Sequence, residues 1–558
     1  MGIPGLTARL SGRGRIVILT YPIEITPSPS EQQTQLPDAL IVDGPSLAYY
    51  IHKAMLTSAS SDSSTGPSPG YRALGARIVE LLNEMEKTGM RIEAIYFDGV
   101  LPGHKLDTRV SRMKQNVSYL RKAVLGDVRE ARMPEPPFLV PAMLQALLES
   151  KYASLVQVVP AEADDYCALH ANRVDAGGLS RPLILTDDSD MFVLDIGRSS
   201  GILYLSSLTR LDTLHGFRYT ADMYCPGEIA SSAGLRDLKQ AAYYMMVDKK
   251  MTFDAAIAKV FRTGSETYEG YASFCHKIAT PPASSDQMST AVVDHLRRMD
   301  PRIAEVAYQA LLPSTRADLE VINAFLPMLH EDATRFSVWK VGHDIRNLAY
   351  RIMLSQGSGR CVVHEYSRRG EGIGHSVGEC TASWQDELSE VLEWLTASIL
   401  QAPLGTSPAQ RWQYVGTVIA LHFYTEYYAE PITYERTVTV LTKAEPGDWL
   451  DVHVSGMAQA AVYSVRMLKH FLDLHAVQGI IDGDLTRLHS LLVDMPGIAE
   501  LFERSDTDTV GFWKSSAEEL VAMLVPFEEA NDDEMEKSDD ESEYAGTIGS
   551  NPYSLLAR

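Results

Sequence analysis

Four short apolar runs, each ending at or near acidic residues, constrain this 558-residue chain more than any other feature. They are Ala39–Val42, Ala94–Phe97, Leu155–Val159 and Pro182–Thr186, with helical patterns such as Tyr71–Lys87 and Pro141–Lys151 between them. Apolar runs alternating with helical segments predict an α/β core built on a parallel sheet. In such a sheet the carboxyl ends of the strands share one edge, where ligands bind. Asp43, Asp98, Glu162 with Asp164, and Asp188 with Asp190 are therefore expected on one rim, with Asp187 as a neighbour.

A lone Asp after a strand is ordinarily a helix cap or a turn residue, and Asp43 before Gly44-Pro45 and Asp98 before Gly99 fit that description. Recurrence across four strands is what points to a shared site. So many bare carboxylates would repel one another and shift each other's pKa values. Hard divalent cations relieve the conflict, and Mg²⁺ (or Mn²⁺) is the expected choice in phosphate chemistry. Two ions about 4 Å apart clamp both oxygens of a phosphodiester displacement. Lys105 and Arg112 follow Asp98 at a spacing of two helical turns, so a helix puts them on one face. Arg109, Lys114, Arg121 and Lys122 extend this basic stretch, and Arg9, Arg13 and Arg15 are further candidates for backbone contacts. A charge run is ordinarily a solvated face. Its place beside Asp98 favours a grip on phosphate.

The formal net charge of -23 excludes wrapping nucleic acid with the whole surface, so any such binding uses a local basic patch. Five cysteines, none in a C-x-x-C spacing, argue against a disulfide framework or a zinc finger. No secretory signal is evident at Met1–Leu6, and the apolar stretch Tyr414–Ala429 holds His422 and Glu426, so it is expected as a buried helix, not a membrane span. An intracellular protein, nuclear rather than cytoplasmic, is expected. Residues 22–37 and 58–70 are rich in Pro, Ser and Gly and are expected as flexible loops. Helical periodicity dominates from about Leu235, with Thr437–Leu441 and Cys361–Tyr366 as possible strands. The expected division is an α/β domain at 1–240, a mostly helical domain at 241–525, and a disordered acidic tail at 526–558 available to protein partners.

These residues, in this order, resemble the flap-endonuclease/XPG superfamily, whose fold is PIN-like. Met1-Gly2-Ile3-Pro4-Gly5-Leu6 is similar to the family's opening, and Val42-Asp43-Gly44-Pro45-Ser46 to its first metal-binding strand end. Tyr96-Phe97-Asp98-Gly99 with Lys105 and Arg112 resembles its Phe-Asp-Gly block and cationic pair. Glu162-Ala163-Asp164 resembles its Glu-Ala-Glu helix start, and Asp187-Asp188-Ser189-Asp190 its paired-aspartate loop. The resemblance implies that Asp43, Asp98, Glu162 and Asp164 serve a first ion and that Asp188 and Asp190 serve a second. It implies catalytic roles for Lys105 and Arg112. Two departures matter. The family's later Gly-x-Asp segment, the source of a seventh carboxylate, has no counterpart in Leu238–Val247, so the second ion is expected to be held less well. The family's helix–two-turn–helix element for duplex DNA is not recognisable either. The sequence is most similar to the asteroid branch, which implies structure-specific DNA endonuclease activity, DNA rather than RNA as partner, and a DNA-repair setting.

Other chemistries fit less well. A haloacid-dehalogenase-like phosphatase needs an aspartate two residues before Asp98, where Tyr96 stands. A nucleotide-sugar transferase motif at Asp188-Ser189-Asp190 leaves Asp43, Lys105 and Arg112 unexplained. The stronger rival is a non-catalytic scaffold of the same fold that binds nucleic acid or protein in post-transcriptional regulation.

Overall fold

The computed structural model describes residues 3, 5–10, 12–21, 38–60, 69–126, 133–263, 269–278, 288–312, 321–355, 362–379, 385–428, 432–443, 446–503 and 510–524. The loop expected at 22–37 and the tail expected at 526–558 lie outside these residues, as do 61–68 of the second loop. The chain forms two compact units. One comprises Met1–Val110 with Phe138–Leu319, the other Ser111–Pro137 with Glu320–Arg558.

The first unit is built on an eight-stranded mixed sheet. In chain order its elements are α1 (Leu6–Arg9), β1 (Arg15–Tyr21), β2 (Asp38–Asp43), α2 (Gly44–Ser60), α3 (Tyr71–Lys87) and β3 (Arg91–Asp98). Then follow α4 (Leu106–Val124), α5 (Leu139–Leu148), β4 (Val156–Val159), α6 (Ala163–Gly177), β5 (Arg181–Thr186), β6 (Gly201–Tyr204), β7 (Thr209–Thr213) and β8 (Gly216–Tyr224). Strands run in the order β1-β8-β6-β5-β2-β3-β4, with β7 also on β8. The links β6-β5-β2-β3-β4 are parallel and those to β8 antiparallel.

The four apolar runs are the four adjacent strands β5, β2, β3 and β4. Leu40, Ile41, Val42, Leu183, Ile184 and Leu185 are all fully buried, as strands covered on both faces must be. In α3 the buried Leu74, Ile78, Leu81, Leu82 and Met85 recur every three or four residues, which is the stripe a helix needs to cover a sheet. The sheet's unit also takes in helices beyond the expected boundary at residue 240. Leu238, Ala241, Ala242 and Tyr244 share one core cluster with Ile41, Ala94, Ile184 and Ile202. The Tyr308 hydroxyl donates to the Val158 carbonyl at 2.9 Å.

The second unit is mainly helical, including helices Pro408–Tyr428 and Trp449–Gln478. Tyr414–Ala429 accordingly falls largely within a helix whose Tyr414, Val415, Val418, Leu421 and Tyr424 are buried. No helix among the described residues is long and apolar enough to cross a membrane. A small sheet is made of β9 (Val321–Phe325), β10 (Val362–Arg369) and β11 (Gly372–Glu379). The strand expected at Cys361–Tyr366 is β10. The strand expected at Thr437–Leu441 is instead the helix Tyr434–Thr442. Thr437, Val440 and Leu441 are buried at helical spacing, and Thr433 caps the start by accepting from the Arg436 amide, so packing overrides β-branched propensity.

Candidate functional site

Register alone brings the acids to one edge. Asp43 ends β2 opposite Tyr96, Asp98 ends β3 opposite Val159, and Val42 lies opposite Leu185, one residue short of the end of β5. Glycine is required where the chain leaves these strands. A Cβ on Gly44 would stand 2.6 Å from the Phe97 ring, and one on Gly99 would strike the Val159 carbonyl. The Asp-Gly pairs at Asp43 and Asp98 thus keep the sheet edge tight beside each carboxylate.

Each side chain then has a local hold. Asp43 is buried, and it accepts from the Ser46 amide at 3.1 Å and the Thr186 hydroxyl at 2.6 Å. Burial pushes its carboxyl up to about 6, against those hydrogen bonds, with the Asp98 charge adding to the rise. Asp98 accepts from the Ala163 amide at the start of α6, 2.8 Å away. Glu162 precedes α6 and pairs with Lys105 at 2.5 Å. Burial raises Glu162 to about 7 even beside that ammonium. Asp164, in the first turn of α6, is pushed well up by burial and by the charges of Asp188, Asp43, Asp98 and Glu162. Asp188 is buried, its amide donates to the Thr186 hydroxyl at 2.9 Å, and its carboxylate accepts from the Asp190 amide at 2.9 Å. Asp190 rises to about 6 through burial and the Asp188 charge, while Lys105, 3.9 Å away, pulls it down.

All six expected carboxylates therefore enter one electrostatic neighbourhood, with the Lys105 ammonium between Glu162 and Asp190. Burial holds that ammonium back, but the surrounding carboxylates raise it above the usual lysine range. Among the described residues, no three His, Cys, Asp or Glu side chains already stand in an arrangement that could hold a metal ion. The donor set nevertheless suits a hard divalent cation, since it consists of carboxylate oxygens.

One acid was missed in the sequence. Asp165, next to Asp164, is raised to about 6 by burial against the pull of Lys105, with Asp98 and Asp190 adding to the rise. The doubled aspartate in Glu162-Ala163-Asp164-Asp165 was the available signal. Cys167 is buried, and its thiol is pushed up by burial and by Asp43, Asp164, Asp98 and Asp165.

The basic residues divide. Instead of facing nucleic acid, Arg109 makes a doubly bonded pair with the buried Glu305, 2.8 Å to each oxygen. Arg9 donates to the carbonyls of Met245, at 2.7 Å, and Lys249. Arg13 pairs with Asp254 and Arg15 with Glu228, both at 2.7 Å. Arg112 and Lys114 are exposed on α4, Arg121 pairs with Glu371 at 2.5 Å, and Lys122 is half-buried. These four belong to the second unit.

Residues 135–377 match a family described as XPG domain containing. The chain is similar to XPG-like proteins, one of the asteroid type among them. Asteroid homolog 1 of Schizosaccharomyces pombe (strain 972) is 29% identical over 197 residues, which cover 35% of this chain and 31% of that protein. The XPG-like match contains Glu162, Asp164, Asp188 and Asp190, whereas Asp43, Asp98, Lys105 and Arg112 precede it.

Proposed function

We propose that the chain is a metal-dependent, structure-specific endonuclease that hydrolyses phosphodiester bonds of DNA. The observation that supports it best is the gathering of carboxylates from four strand ends into one electrostatic neighbourhood, with Lys105 paired to Glu162 and 3.9 Å from Asp190. A fold needs no such crowding for stability, because each buried charge is costly. Asp43, Asp98, Glu162 and Asp164 would hold one ion, and Asp188 and Asp190 a second, less tightly held one. Bound Mg²⁺ or Mn²⁺ would supply Lewis-acid polarisation of the phosphate and a more acidic water. The protein's part is positional. Thr186 fixes Asp43 and the backbone at Asp188 together. Lys105 supplies positive charge for the scissile phosphate, and Arg112 is proposed to assist it. Lys249 and Lys250 are exposed in the short link between helices Lys239–Val247 and Phe253–Thr263, where they could meet a duplex backbone. A nuclear setting in DNA repair, and protein partners for the acidic C-terminal segment, belong to the same proposal.

One observation favours a second reading. Lys105 already bonds Glu162, and the carboxylates are not gathered into a ready ligand cage among the described residues. A scaffold could use Lys105 in place of a metal. A cleavage assay with Mg²⁺ or Mn²⁺ on single-stranded, flapped and overhang DNA decides between them. Wild type is expected to cut, and Asp98→Ala and Asp188→Ala to lose at least about a hundredfold. An inert wild type, or variants as active as wild type, would leave the scaffold.

A further inference from the structure

The second unit carries a cluster of aromatic rings that the nuclease proposal leaves unused. Helix Pro408–Tyr428 presents Phe423 and Tyr427 one turn apart, their rings within 10° of parallel and 6.1 Å between centroids. Phe336, from the segment after β9, lies 5.6 Å from Phe423, 4.5 Å from Tyr427 and 5.6 Å from Tyr428. Two cations are interleaved. The Lys340 ammonium is 5.2 Å from the Tyr427 ring and 5.8 Å from Phe336, and the Arg335 guanidinium is 5.4 Å from Tyr428. Tyr427 is 51% exposed, a large aromatic surface left to solvent.

Buried charge holds this face in shape. Arg368 and Glu331 are both buried and pair at 2.7 and 2.8 Å. The same guanidinium donates to the backbone carbonyls of Arg335 at 2.9 Å and Phe336 at 2.7 Å, fixing the segment that carries both side chains. The buried Arg346 likewise donates to the Trp339 carbonyl at 2.5 Å, next to Lys340. His453 is buried edge-on against Phe336, 5.0 Å away at 79°, and among the described residues neither of its ring nitrogens has a hydrogen-bond partner. Such preorganisation removes ordering cost from a binding event.

The chemistry narrows the occupant. An apolar helix would have to bury Lys340 and Arg335, and a methylated ammonium would meet like charge. A polynucleotide brings flat bases for the rings and phosphates for the cations. Two acids stand nearby. Asp332 accepts from Arg335 at 3.3 Å, and Glu426 lies 3.4 Å from His422, so base stacking carries the larger share of the affinity. We propose that this aromatic and basic face binds single-stranded nucleic acid by stacking bases on Tyr427 and Phe423, separately from the carboxylate site.

The test is fluorescence anisotropy of a short labelled oligothymidylate with the full chain in EDTA, where metal-dependent cleavage is silent. Wild type should bind, and a hairpin duplex of equal length should bind less well. Tyr427→Ala and Lys340→Ala should each raise Kd roughly tenfold with unchanged melting curves, and Tyr427→Phe should restore wild-type affinity. Absence of wild-type binding, or an unchanged Kd in Tyr427→Ala, would overturn the proposal. The cleavage assay stands or falls independently of that result.

Discussion

Thr186 shows how closely the candidate site is tied to single side chains. Its hydroxyl donates to Asp43 and accepts from the Asp188 amide, so one group joins two strand ends. Thr186→Val keeps the shape and removes both hydrogen bonds, and a loss of about 1–3 kcal/mol in denaturant melts is expected. His453 makes a second residue-scale prediction. Burial, with Arg335 and Arg368 nearby, lowers its pKa to about 3 from 6.5. A group with a depressed folded pKa gives its stability above the unfolded value and loses it as pH falls. The melting temperature should therefore drop from about pH 6.5 downwards, and less steeply in His453→Phe; parallel pH profiles would contradict this. The six acids were legible because each follows an apolar run. Asp165 was not, since the doubled aspartate signals a second acid without showing which way its side chain points. Arg109 was misread for a related reason, because its buried partner Glu305 lies far along the chain.

At the scale of elements, β2 to β5 were legible because parallel strands buried on both faces are written as continuous apolar runs. Strand β1 was not, since it is an edge strand whose Ile16 and Ile18 are exposed, and its flanking arginines mask the pattern. Helix Tyr434–Thr442 was misread through its β-branched residues. The second unit's small sheet is pinned to helix His343–Leu354 by a buried pair. Arg346 donates twice to Glu365, at 2.7 and 2.8 Å, and the neighbouring guanidinium holds the Glu365 carboxyl below its usual range. Arg346→Ala leaves that carboxylate buried without its guanidinium, held only by the Tyr350 hydroxyl at 2.9 Å and with His343 3.8 Å away, so a loss of about 3–5 kcal/mol is expected. The double variant Arg346→Met, Glu365→Leu should recover most of it in urea melts, and equal losses would show that packing rather than charge dominates.

On the scale of the whole molecule, sequence order conveyed the α/β core and the helical C-terminal region, whereas the composition of the compact units depends on contacts between distant segments. The start of the chain illustrates this. The Ser189 hydroxyl donates to the Ile3 carbonyl at 3.1 Å, between Asp188 and Asp190 in sequence. An N-terminal tag is therefore expected to impair cleavage more than a C-terminal one, and equal activity of the two forms would contradict that placement. The central claim is that the strand-end carboxylates form a cation site. Calorimetric titration of Mn²⁺ into the metal-free full chain near neutral pH tests it most directly. The expected result is saturable binding with proton release, since carboxylates with raised pKa values must give up protons, and an affinity at least about tenfold weaker in Asp164→Asn. No saturable heat in wild type, or identical titrations for the two proteins, would contradict it.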